Sequence, residues 1–215
     1  MSFLNQLKAE ANSLQRQRGE QHVQREEGIA QTQRACVLVL HYFEDLARQL
    51  NVIEPPAAAF TLDGKTPWPP MKLIAFRVDA RRKGLNGIEV IDTIAMGWDI
   101  VAQAGALVNA SLSVNFPPDL QRVESRLALG LVKHDRREVR HAEKNSLLAI
   151  RFDYLAQTRG NVMVSADHDK AQLAFRFLNP GGFGVLHATW GADKVNAALM
   201  DELAKLVVSQ PSRFV

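Results

Sequence analysis

The chain has 215 residues, 47% of them apolar and 23% charged, with a formal charge of +3 and a pI near 9.2. That apolar content excludes a disordered chain and suffices for one sizeable core. The single cysteine, Cys36, excludes an intramolecular disulfide framework and a multi-cysteine zinc site. Segments 1–50, 51–100, 101–150 and 151–215 carry six, six, seven and seven Lys/Arg against six, six, five and six Asp/Glu. No basic tail or arm stands out, so the charge alone does not mark a nucleic-acid binder.

Residues 3–18 read as a helix, with Phe3, Leu4, Leu7, Ala11 and Leu14 on one stripe and Ser2 as its cap. Residues 26–50 continue the spacing through Ile29, Cys36, Leu40, Phe43, Ala47 and Leu50. Cys36 therefore falls on an apolar face, as a small buried thiol. Polar residues at Arg18, Gln21 and Gln33 interrupt the seam. A helical hairpin broken near Gly19 or Gly28 is expected, packing on the sheet or serving a protein partner or a homo-oligomer. From Glu54 to Pro70, five prolines (Pro55, Pro56, Pro67, Pro69 and Pro70) predict a linker, with Trp68 covering an edge of the core.

From Leu73 the period changes to two. Phe76, Val78 and Ala80 alternate with Arg77, Asp79 and Arg81, and residues 82–87 read as a hairpin turn. Residues 88–101 form a long strand with a bulge expected at Gly97, and 106–116 alternate again after a turn at Gly105. Pro117-Pro118-Asp119 opens a helix to Gly130. The charged run 132–141 is an exposed strand or loop. Residues 146–190 read as four antiparallel strands, turning at Arg159-Gly160-Asn161, at 167–170 and at 179–182. An amphipathic helix from Asp193 to Gln210 ends the pattern before Pro211. The expected fold is α+β: a largely antiparallel sheet of about seven or eight strands covered by amphipathic helices. The expected organisation is a helical segment at 1–53, a Pro-rich linker at 54–71 and an α+β domain at 72–215. Residues 73–80 echo 147–154 at an offset of 74, which raises the hypothesis of a duplication relating 73–130 to 147–209.

Chemistry is harder to read. Arg77-x-Asp79 and Arg151-x-Asp153 each put a cation and a carboxylate on one strand face, because side chains two apart point the same way. Should the strands adjoin, the four could bind a ligand; the simpler expectation is a solvent-side ladder of ion pairs. Asp167-His168-Asp169 offers donors for a metal, but Asp at hairpin turns has backbone reasons of its own. Ser165 and His168 lack the Gly-x-Ser-x-Gly elbow of a hydrolase. Asn179-Pro180-Gly181-Gly182-Phe183-Gly184 joins two strands without opening a helix, so a tight connection explains it better than phosphate binding. Arg82, Lys83, Arg136 and Arg137 are the candidates for a nucleic-acid surface, without interleaved aromatics for base stacking.

No cofactor or metal is expected. No apolar run approaches the ~18 residues of a membrane span, and residues 1–6 show no signal-peptide pattern. The sequence thus predicts a cytoplasmic, non-catalytic binding protein for a partner protein or a small acidic ligand. The alternatives are an enzyme with a pocket lined by the Arg/Asp pairs and His187, or a nucleic-acid module using the basic turns.

Overall fold

A computed structural model describes residues 3–105 and 107–215. Ser2, expected to cap the first helix, and Ala106, expected to start a strand, lie outside the described residues, as do the side chains of Leu4 and Ala11. The fold is α+β, with three α-helices and eight strands among the described residues.

Helix α1 runs unbroken from Phe3 to Ile53, 51 residues, where a helical hairpin was expected. Glycine inside a helix costs only about 1 kcal/mol relative to alanine. Gly19 and Gly28 are each flanked by Gln, Glu and Arg, which are good helix formers, so neither breaks the helix. Glu54, at φ 46°, and Pro55-Pro56 do end it. Ile29, Cys36, Val39, Phe43 and Leu50 are buried in the core. Every residue of 3–27 whose burial is described is exposed.

Residues 54–70 are not a free tether. Phe60, Leu62 and Trp68 are buried, and Phe60, Trp68 and Tyr154 stack at 5.8 Å between ring centroids. Trp68 thus sits in the core, as its place in the sequence suggested.

Strands β1 (Met71–Leu85) and β2 (Ile88–Ala102) form one long hairpin. Its turn is only Asn86-Gly87, both at positive φ (51° and 81°), the tight geometry that matches strand twist. Near Gly97 the extra residue lies on β1 rather than β2, and a second shift, between Arg81 and Arg82, leaves Asp92 as the extra residue on β2. Ile74 pairs with Asp99 and Arg77 with Gly97, so Ala75 and Phe76 together face Trp98. This stacks Phe76 on Trp98 at 5.6 Å.

Strand β3 (Asn109–Val114) leads to α2 (Pro117–Leu129), β4 (His134–Arg140), β5 (Leu147–Leu155), β6 (Thr158–Asp167), β7 (Gln172–Leu178) and β8 (Val185–Gly191). Helix α3 (Ala197–Val207) is capped by Asn196, whose Oδ1 accepts from Leu199 N at 3.0 Å; Asp193, the expected start, lies in a separate 3-10 turn. The strands form two antiparallel sheets, in the orders β1-β2-β6-β7-β8 and β3-β5-β4.

Two expectations fail here. Arg159-Gly160-Asn161 is not a turn, and β5 does not pair with β6. The chain runs on from one sheet into the other through Ala156-Gln157. Every even-numbered residue from Ile150 to Val164 is buried and none of the intervening odd ones is. Gly160 is there for packing: a Cβ on it would lie 2.3 Å from the Trp98 indole. The duplication also fails. Residues 73–80 lie in an edge strand of the five-stranded sheet and 147–154 in the middle strand of the other. Three strands precede α2 in the first unit, four precede α3 in the second.

Candidate functional site

Period-two alternation carried through β5 and β6 puts Arg151, Asp153, Leu155, Gln157 and Arg159 on one side of the chain, the side away from the core. Asp153 accepts from Arg151 Nε at 2.9 Å, and Arg137 of β4 lies 3.9 Å away. In the larger sheet Asp99 stands opposite Arg159 in register, 3.3 Å from its Nε, and 3.5 Å from Arg77 on the far side. Asp99 thus stands between two guanidinium groups, whereas Asp153 has Asp135 as its register partner, so Arg137 and Arg151 face two carboxylates.

The four residues singled out from the sequence do not form one cluster. Arg77 and Asp79 sit on the edge strand β1, whereas Arg151 and Asp153 sit on β5. What the fold adds is Asp99, Arg159 and Arg137. Arg159 continues the alternation of 151 and 153, a signal that the Gly160 after it masks as a turn. Asp99 and Arg137 join only through strand pairing. Ion pairs this exposed each contribute under about 1 kcal/mol, so stability alone gives little reason for them.

A surface groove runs past Arg151, Asp153 and Arg159, and Arg137 and Asp99 do not line it. One part, about 590 Å³, is lined by Asn109, Ser111, Lys133, Asp135, Arg151 and Asp153 among others. An adjoining part, about 310 Å³, shares Lys133 and Leu155 and reaches Leu131, Gln157 and Arg159. Arg77 and Asp79 line neither part.

The other candidates are engaged elsewhere. His168 is buried and donates from Nε2 to Ile91 O at 2.9 Å; Asp167 pairs with Lys170 at 3.0 Å and Asp169 with Arg25 at 2.8 Å. These three residues point to three different partners. Ser165 is exposed on β6, and His187 on β8. Arg82 pairs with Glu89 at 3.1 Å, Lys83 with Asp92, Arg136 with Glu124 at 3.2 Å and Arg137 with Asp153. Each member of the proposed nucleic-acid surface thus has a carboxylate beside it. In the Gly-rich connection, Asn179 donates to Arg159 O at 2.8 Å and accepts from Gly184 N at 3.1 Å, with Gly182 at φ 120°. Cys36 is buried, and burial, with Asp92 nearby, pushes its thiol up to about 12, so it stays protonated at neutral pH.

No family model, curated protein or solved structure matches the chain. The functional reading rests on geometry.

One lock escaped the sequence reading altogether. Asp63, 8% exposed, accepts from Lys65 N (2.8 Å), Thr66 N (2.7 Å), Thr66 Oγ1 (2.8 Å) and Thr61 Oγ1 (3.0 Å). Burial alone would raise its pKa, but these four bonds outweigh it and hold the carboxyl down at about 2. Arg122 donates to Asp63 O at 3.1 Å, and Arg126 to Thr61 O at 2.9 Å, clamping the loop to α2. Thr-x-Asp-Gly-x-Thr was the available signal, hidden by the linker assignment.

Proposed function

We propose that this protein acts by contact rather than by catalysis, docking to a helix of another protein chain through the exposed half of α1. The observation that carries the reading is the continuous helix in which every residue of 3–27 whose burial is described is exposed, Phe3 (73%), Leu7 (46%) and Leu14 (48%) among them. At 1.5 Å per residue this arm is about 37 Å long. Most helical stability in proteins comes from packing of an apolar face, and Phe3, Leu7 and Leu14, with Val23 on the opposite side, gain nothing from the body. Their stripe is narrow, with polar residues on either side. That width suits the seam of a two-helix contact better than a sheet or a broad pocket. The occupant it fits is therefore an amphipathic helix.

The test places a photo-crosslinking amino acid at Leu7, at Leu14 and at Ile88, an exposed residue of the β-hairpin, in the intact chain in its source cell. Adducts to one defined protein, whether a second copy or another chain, should form from positions 7 and 14 and not from 88. Equal yields at all three positions would overturn the docking arm.

A further inference from the structure

We infer that β8, an outer strand of the five-stranded sheet, pairs antiparallel with β8 of a second copy of this chain about a two-fold axis at Ala188. This inference stands apart from the docking arm, since β8 and α1 share no residue.

The edge of a sheet presents a row of unpaired N–H and C=O groups, and folds blunt such edges with cover, charge or bulges. Strands β1, β8, β3 and β4 are the edges here. On β1, Leu73 N donates to Pro55 O at 2.9 Å, and the Asn51 side chain bonds both the N–H and the C=O of Phe76, so residues 51–55 cover one end. The rest of β1 carries Arg77, Asp79 and Arg81. On β4, only His134 and Val139 are not Asp, Glu or Arg. Strand β3 has no charge, but Asn109, Ser111 and Ser113 give its outward face little to bury. Strand β8 has neither a charge nor a proline, and it pairs with β7 without a register shift. Among the described residues, its backbone hydrogen bonds run to β7 alone.

The sequence of β8 complements itself. Facing residues of an antiparallel pair project to the same side of the sheet. Pairing about Ala188 therefore sets Leu186 opposite Trp190 of the second copy, twice, and His187 opposite Thr189 of the second copy, twice. All seven residues of each strand are then in register. Leu186 and Trp190 lie on the core side, aligned with the buried Phe177 and Leu173 of β7. Leu186 is nonetheless 37% exposed, and an aromatic ring across the strand pair covers it. The small Ala188 at the axis leaves room for both rings. On the other side His187 and Thr189 are exposed and neutral partners for one another. The same operation on β4 about Arg137 would set that arginine against its own copy. One strand per copy is a small contact, below the ~1,200 Å² of a standard interface, so the dimer is weak and reversible.

The experiment follows the full chain by sedimentation velocity between about 10 and about 300 μM, the range in which so small a contact associates. A reversible monomer–dimer equilibrium is expected. The double variant His187→Asp with Thr189→Asp sets carboxylates opposite one another across the axis and should weaken the dimer about tenfold or more. The double variant His187→Lys with Thr189→Lys should do the same. An equimolar mixture of the two should dimerise at least as well as the unsubstituted chain, a recovery that a merely damaged strand would not give. Ala188→Cys should form a disulfide-linked dimer on oxidation, whereas Ser111→Cys on β3 should not; Cys36 is buried and adds no background. Leu7→Glu on the arm should leave the equilibrium unchanged. A chain that stays monomeric over the whole range, no recovery in the mixture, crosslinking at Ser111→Cys as ready as at Ala188→Cys, or loss of the dimer in Leu7→Glu would each overturn the inference.

Discussion

The two halves of α1 share one helix and one apolar period but have opposite surroundings. In a helix of 3.6 residues per turn, Phe3, Leu7 and Leu14 fall within an arc of about 80° that also contains Ile29, Cys36, Phe43 and Leu50. The later four are buried at 5% exposure or less; the first three are exposed. The stripe is thus the same, and only what lies beneath it changes. An apolar period shows that a helix has a face to cover. It does not show whether the cover comes from the same chain.

The largest expected break in this comparison is a pair of truncations. Phe43→Ala, at a fully buried position, should destabilise the fold by about 3–5 kcal/mol. Leu14→Ala should shift the stability of the isolated chain by less than about 0.5 kcal/mol. Urea unfolding of both variants decides the matter, and a cost of more than 1 kcal/mol for Leu14→Ala would mean that the arm is covered in the purified protein.

Acid should sharpen the contrast next, because the body has a carboxylate whose ionisation the fold favours. Asp63 titrates at about 2 when folded, against an ordinary 3.8. A depressed pKa stabilises the fold above the unfolded value, and that contribution is lost as pH falls from about 4 through 2. The gap corresponds to about 2 kcal/mol. Asp63→Asn should remove this part of the acid dependence, seen as a smaller difference between denaturation midpoints at pH 5 and pH 2.5. An unchanged difference would show that the Thr61–Thr66 loop does not hold the carboxylate.

The smallest effect lies at the arm's own glycine. Nothing approaches within 4 Å of a Cβ built on Gly19, so Gly19→Ala should favour the helix by about 1 kcal/mol. Slower amide hydrogen exchange across residues 12–27, with the denaturation midpoint of the body unchanged, is the expected result. Faster exchange in the variant would argue that the helix bends at this position.

Much of the architecture was readable in sequence because it depends on local periods. The change from helical spacing to alternation near Leu73, the Pro start and Gly end of α2, and the burial of Cys36 and Trp68 all follow from residue type and spacing. The failures share one cause. A glycine between two patterned runs reads as a break, yet Gly19 and Gly28 lie inside a helix, and Gly160 makes room for Trp98 from a distant strand. The candidate site was half readable for the same reason. Arg151 and Asp153 share a face by alternation alone, but Arg137 and Asp99 reach their clusters only across strand pairs.

By itself, the sequence determined an α+β chain, two long-range apolar periods and the strand faces on which charges must lie, since these follow from side-chain geometry within single elements. Tertiary structure alone decided that β5 runs on into β6 across two sheets, that the Pro-rich segment is packed rather than free, and that one half of α1 is covered. Those outcomes depend on which distant residue fills the space beside each element, and local spacing carries no record of that.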